Sequence, residues 1–202
     1  MKGLYLVTPD WDDTAKLVAT TELALRGGAA LVQYRHKNAS AELRQEQAEQ
    51  LLALCRRYQR PLIINDYVEL CLALDADGVH VGGTDASAAQ VRAALGPSKI
   101  VGASCYGSME LARTAYQTEA SYVAFGGFYP SRVKKYPVTT SVEIIAQSKT
   151  EIALPVVVIG GMTAANAAPL VAAGADMVAA ISSVYLADNP EAAASDFARL
   201  FE

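Results

Sequence analysis

Short apolar runs recur along the whole chain, at 4–8, 30–35, 62–65, 78–82, 100–104, 122–126, 156–160 and 177–182. Each is nearly continuous in its hydrophobicity, the pattern of a parallel strand covered on both faces. Helix-like sequence separates them. The stretch 42–58 carries Leu43, Leu51, Leu52 and Leu54 among Glu, Gln and Arg, and the Ala-rich stretch 164–173 stops at Gly174. Gly and Pro are read as falling between elements, not inside them. Eight strand and helix units of about 25 residues each, with no linker or low-complexity tract, predict an α/β fold: a single-domain, eight-stranded (β/α) TIM barrel over residues 1–202.

In such a barrel the chemistry lies at the C-terminal ends of the strands. The second run ends in Val32-Gln33-Tyr34-Arg35-His36-Lys37. Side chains alternate along extended backbone, so Gln33, Arg35 and Lys37 share one side and Tyr34 and His36 the other. Two cations facing a barrel mouth call for an anion such as phosphate or pyrophosphate, Arg35 as a planar fork and Lys37 as a mobile point charge. The third run ends in Asn65-Asp66-Tyr67, and the fourth in Gly78-Val79-His80-Val81-Gly82-Gly83-Thr84-Asp85. The glycines there are read as leaving room beside the imidazole. Asp66 and Asp85, on adjacent loops near the cations, fit the sparse ligand set of Mg²⁺, which keeps waters and shares substrate oxygens. After the seventh run, Gly160-Gly161-Met162-Thr163 leads into a helix, and the eighth ends in Ile181-Ser182-Ser183. Small residues, backbone amides and hydroxyls at these two ends make a second anion site. A long cationic stretch, 126–137, follows the sixth run and has the length of a lid or binding loop.

Each feature has a plainer reading that the residues leave open. Asp66 and Asp85 could cap the helices that follow them. His80 could be a hydrogen-bonded core histidine, Gly160-Gly161 a tight turn, and Lys134 and Lys135 a solvated patch. Cys105 has no visible base partner, which favours a buried inert thiol.

Composition narrows the class. The chain has 202 residues, 52% hydrophobic and 19% charged, enough to bury a full core. A net charge of -4 argues against a general nucleic-acid or acidic-membrane binder, so any anion site is local. Three cysteines without paired spacing suggest free thiols in a reducing compartment, with the cytoplasm fitting best. The first apolar run is too short for a secretory core, and no run approaches transmembrane length. Self-association into a homo-oligomer is left open.

The ordered motifs resemble one known family, thiamine phosphate synthase, over nearly the whole chain. The residues that carry the resemblance are 4–8, Gln33 to Lys37, Ile64-Asn65-Asp66, 77–82 with Asp85, Gly102-Ala103-Ser104, Phe125-Gly126 with Tyr129-Pro130-Ser131 and Lys134, 159–163, and Ile181-Ser182. The resemblance implies a transferase joining hydroxymethylpyrimidine diphosphate to a thiazole phosphate, with Mg²⁺ on Asp66 and Asp85. It implies that Gln33, Arg35 and Lys37 hold the pyrophosphate and that Gly161, Ile181 and Ser182 hold the thiazole phosphate. Tyr5, Asn65, His80, Ser104, Ser131 and Lys134 would line the space between, with Arg35, Lys37, Ser104 and Lys134 acting in catalysis. Departures from the family pattern are His36 for Glu, Gly83 for Gln, Ser131 and Val133 for two Thr, and Cys105-Tyr106 for a small residue and His. Two rivals stand beside it: a thiazole tautomerase of the same superfamily, and a noncatalytic module that binds thiamine precursors. The tautomerase would use a His where Tyr106 stands and would lack the acidic pair.

Overall fold

The structure is a computed structural model that describes residues 1–82, 88–130 and 140–202. Eight parallel strands close into a barrel in chain order: β1 (Gly3–Val7), β2 (Leu31–Tyr34), β3 (Leu62–Asn65), β4 (Gly78–Val81), β5 (Ile100–Tyr106), β6 (Tyr122–Gly126), β7 (Val156–Ile159) and β8 (Met177–Ala180). The helices between them are α1 (Thr14–Arg26), α2 (Ala41–Arg57), α3 (Val68–Leu74), α4 (Ala88–Leu95), α5 (Met109–Gln117), α6 (Glu143–Glu151) and α7 (Ala164–Ala172). After β8 come the short α8 (Ser182–Tyr185) and α9 (Pro190–Ala198). All eight strands fall on the predicted runs. The eighth stops earlier, because Ser182 already begins α8.

Alternation along the strands divides the core in two. Outward residues such as Leu4, Leu6, Val32, Ile64, Val79, Val101, Val123, Phe125 and Val178 pack under the helices. Inward residues fill the barrel with Tyr5, Val7, Leu31, Ile63, Tyr122, Ala124, Val157, Met177 and Ala179. The strands are therefore apolar on both faces, which is why they read as unbroken runs. Helices start where polar caps follow the strands: Asp13, Ser40, Ser108, Thr163 and Asn189 each accept a hydrogen bond from an amide of the first turn.

Two expectations about Gly and Pro are corrected. Pro169 lies inside α7. It removes the amide that would bond the Ala165 carbonyl, but both residues are on the exposed face, where water serves that carbonyl. The buried Ala167 and Leu170 and a Thr163/Asn166 capping box hold the rest of the helix. At Gly78, the missing side chain makes room for the neighbouring strand and not for the imidazole. A Cβ there would lie 2.1 Å from the Ile100 carbonyl oxygen.

That contact is between backbones and cannot relax by a rotamer change. Gly78→Ala is expected to lower stability by about 2–3 kcal/mol, as overpacking does, measured as a shift in denaturant midpoint. An unchanged midpoint would show that β4 and β5 can separate freely.

Candidate functional site

The β1 and β2 ends are knitted together by Thr8. Its Oγ1 accepts from the Arg35 amide at 2.7 Å and donates to the Arg35 carbonyl at 2.9 Å. The predicted alternation follows. Gln33, Arg35 and Lys37 turn to the barrel mouth, whereas Tyr34 donates to Gln47 of α2 and His36 meets Asp12 at 3.0 Å.

One cavity at the C-terminal mouth gathers most of the predicted residues. Tyr5, Gln33, Arg35, Lys37, Asn65, Asp66, His80 and Ser104 line it, with apolar walls from Val7, Ala124, Val157 and Ile159. Gly161, Ile181 and Ser182 are not among its lining residues; they follow Ile159 and Ala179, which are. Asp85, Ser131 and Lys134, with Gly83 and Val133, lie outside the described residues.

Arg35 is the most informative group in the cavity. Its side chain is 8% exposed, and Nη1 donates to both oxygens of Asp10, at 3.2 and 3.4 Å. Asp10 Oδ1 also accepts from the Lys37 amide at 3.0 Å, so one carboxylate orients both cationic positions. Yet Arg35 Nε is buried with no hydrogen-bond partner among the described residues. A buried donor left unmade costs about 1–3 kcal/mol, so this Nε–H is suited to a ligand acceptor in the cavity. Asp10 was not foreseen. Its place immediately after the first apolar run, on the catalytic rim, is the signal that could have found it.

Asp66 does not cap a helix. The cap of α3 is Tyr67, which makes no side-chain cap bond. Asp66 instead sits at φ 65, a left-handed conformation that Asp tolerates, with its carboxylate accepting from Asn65 Nδ2 at 2.5 Å and lining the cavity. A hard carboxylate oxygen in the same cavity as Arg35 and Lys37 has the chemistry of a Mg²⁺ ligand. Among the described residues no group of three or more His, Cys, Asp or Glu side chains is assembled.

His80 is engaged at both ring nitrogens within the barrel. Nδ1 meets Tyr122 Oη at 2.9 Å and Nε2 meets Ser104 Oγ at 2.8 Å. Tyr122 also meets Tyr5 Oη at 2.6 Å, and Gln33 Nε2 donates to Tyr5 at 2.7 Å. Gln33 thus commits one of its two amide hydrogens to Tyr5. Tyr122 is the second residue the sequence reading missed. It begins β6 at the far end of its strand, and only its ring reaches the polar chain.

Cys105 is buried, and burial pushes its thiol up to about 12, in keeping with an inert core group. The neighbouring Tyr106 lines the cavity at φ 50, beside a register shift between β5 and β6. The glycines after β7 are required by the chain itself. A Cβ at Gly160 would lie 2.7 Å from Gly127 Cα, and one at Gly161 2.3 Å from the Pro130 carbonyl oxygen. Their smallness admits the backbone of the loop after β6 at Gly127 and Pro130.

A closed parallel barrel with a buried arginine at its C-terminal mouth, whose Nε has no partner among the described residues, has the form of a (β/α)8 enzyme with a site suited to an anion. Known proteins narrow the class. Residues 4–184 match the model of a family described as thiamine monophosphate synthase. The thiamine-phosphate synthase of Janthinobacterium sp. (strain Marseille) is 66% identical over 201 residues, covering 100% of this chain and 97% of that one. The thiamine-phosphate synthase of Methylobacillus flagellatus is 50% identical over 201 residues, covering 100% and 96%. Among solved structures, thiamine phosphate pyrophosphorylase from Pyrococcus furiosus superposes with a TM-score of 0.87 at 31% identity, covering 98% of this chain and 95% of that one. The chain belongs to the thiamine monophosphate synthase family and is a transferase. Among the described residues no helix is long and apolar enough to cross a membrane.

Arg35→Lys keeps the charge and loses the fork with its Nε–H. Inorganic pyrophosphate, titrated calorimetrically, is expected to bind roughly 10- to 100-fold more weakly, the value of one or two charge-assisted hydrogen bonds. Equal affinity would remove Arg35 from anion binding.

Proposed function

We propose that this transferase condenses 4-amino-2-methyl-5-hydroxymethylpyrimidine diphosphate with 4-methyl-5-(2-hydroxyethyl)thiazole phosphate, giving thiamine phosphate and pyrophosphate. The observation that carries the reading is the buried Arg35 Nε–H, a donor without an acceptor among the described residues, in the same cavity as Lys37 and Asp66. That combination suits a diphosphate better than a monophosphate. Tyr106 at the cavity wall, where a tautomerase would use a His, and the presence of Asp66 both favour synthesis over isomerisation.

The reaction proceeds by departure before attack. The bond from the pyrimidine methylene carbon to the diphosphate oxygen breaks, its electron pair leaves on pyrophosphate, and the thiazole nitrogen then donates its pair to the same carbon. Arg35, held by Asp10, and Lys37 receive the negative charge that grows on the leaving group. Gln33 and Ser104 contribute hydrogen bonds to the pyrimidine diphosphate, and Asn65 keeps the Asp66 carboxylate in place. Val7, Ala124, Val157 and Ile159 shield the pyrimidine cation from water. Mg²⁺ would be held by Asp66 together with Asp85, and when bound it supplies positive charge against the diphosphate. The thiazole phosphate is assigned to Gly161, Ile181 and Ser182 at the β7 and β8 ends, and Ser131 and Lys134 to the space between the two substrates. Ser183 adds a buried hydroxyl with no partner among the described residues.

Purified protein with both substrates is expected to release one pyrophosphate per thiamine phosphate, and only with Mg²⁺. Asp66→Ala is expected to lower that turnover by about 100-fold or more, with only a modest drop in the thermal midpoint from placing Ala at this left-handed backbone. Product formation by Asp66→Ala at the wild-type rate across a magnesium titration would remove Asp66 from the mechanism. Tight thiazole phosphate binding without any product from the wild-type chain would overturn the synthase reading.

A further inference from the structure

The polar chain under the cavity has a direction, and that direction can be read from its ends. It runs Gln33 Nε2, Tyr5 Oη, Tyr122 Oη, His80 Nδ1, His80 Nε2, Ser104 Oγ, each link between 2.6 and 2.9 Å. Gln33 Nε2 can only donate, so Tyr5 accepts from it. Tyr5 is buried, and Tyr122 is its only acceptor among the described residues, so the Tyr5 proton goes to Tyr122. Tyr122 then gives its own proton to Nδ1, Nε2 carries the ring hydrogen, and Ser104 Oγ accepts it. Running the chain backwards would set the Tyr5 proton against the amide hydrogens of Gln33 or leave it without an acceptor.

We propose that Tyr122 is a positioning residue: through it, the amide of Gln33 holds His80 as the neutral Nε2–H tautomer and leaves the Ser104 hydroxyl proton to donate to an acceptor atom of the ligand in the cavity. The serine is thereby a committed donor, matched to a phosphate oxygen or a ring nitrogen and mismatched to an N–H or O–H. Burial pushes both tyrosine hydroxyls well above their ordinary range, so both keep the proton the relay needs. The geometry around Tyr122 is built for its ring. It lies edge-on to Tyr5 with centroids 5.8 Å apart and nearly parallel to His80, at 15°. Gly102 makes room for it, since a Cβ there would lie 2.0 Å from Tyr122 Cζ and 2.2 Å from its hydroxyl oxygen. The family motif Gly102-Ala103-Ser104 therefore places the serine and clears the path of the tyrosine that orients it.

The kinetic half of this inference rests on the activity proposed above, whereas the tautomer does not. The chain has two histidines, His36 and His80, so ¹⁵N-histidine labelling gives two imidazoles, and His36→Gln assigns them. In the wild-type chain at neutral pH, His80 is expected to show an unprotonated Nδ1 and a protonated Nε2. Tyr122→Phe keeps the ring in the space beside Gly102 and is expected to abolish that pattern, giving the other tautomer or a mixture. It is also expected to lower kcat/KM for the pyrimidine diphosphate roughly tenfold, the value of one misdirected buried hydrogen bond, with KM for the thiazole phosphate unchanged. Tyr5→Phe breaks the chain one link earlier and is expected to weaken the tautomer preference without reversing it. A protonated Nδ1 in the wild-type His80, or the wild-type tautomer persisting in Tyr122→Phe, would overturn the inference even in a fully active enzyme. An inactive wild-type chain with the expected tautomer would overturn the activity and leave the relay standing.

Discussion

Closing eight strands into a barrel forces every second side chain into an interior that little water reaches, and polar groups there must find partners within the protein or in a ligand. The lower layers meet this constraint with apolar residues such as Leu31, Ile63 and Met177. Toward the mouth the inward residues turn polar, and the constraint becomes chemistry. Gln33, Tyr5, Tyr122, His80 and Ser104 satisfy one another in a chain that spans β2, β1, β6, β4 and β5. Arg35 is satisfied in part by Asp10, and its buried Nε–H has no partner among the described residues, which is the donor the proposed diphosphate would meet.

The same constraint explains why the cationic side of β2 does not disturb the fold. Thr8 ties the Arg35 backbone to β1, Asp10 fixes both the guanidinium and the Lys37 amide, and Tyr34 and His36 occupy the opposite face against Gln47 and Asp12. The arginine is thus held by neighbours on the first βα loop before any ligand arrives. Electrostatic stabilisation of a leaving group is most effective when its donors need no reorganisation, and this arrangement supplies that condition.

How much of this was legible depended on whether the signal was local. The strands were legible because both their faces are buried, and the Gln33, Arg35 and Lys37 set because alternation is a property of one strand. Asp66 was ambiguous in sequence; only the start of α3 at Val68, one residue beyond its Tyr67 cap, separated a cavity carboxylate from a helix cap. Gly78 was misread as room beside the imidazole, because its close approach to Ile100 is a tertiary fact, as is that of Gly160 and Gly161 to Gly127 and Pro130. Tyr122 was hidden for a different reason. Its Cα lies at the start of β6, away from the rim, and it reaches the site only through the length of its ring and the absence of a side chain at Gly102. Asp10 could have been found, had the rim after the first strand been searched for carboxylates as the later rims were.

The proposed reaction puts its two anionic groups on different parts of the mouth: the diphosphate at the β2 and β3 ends, beside Arg35 and Lys37, and the second phosphate at the β7 and β8 ends, beside Gly161 and Ser182. The measurement that tests this most directly is a crystal structure with pyrophosphate and Mn²⁺ in place of Mg²⁺, the metal located by its anomalous signal. The account predicts a pyrophosphate oxygen accepting a hydrogen bond from Arg35 Nε and Mn²⁺ bound to Asp66. Pyrophosphate seated away from Arg35, or Mn²⁺ bound elsewhere than on Asp66, would contradict it.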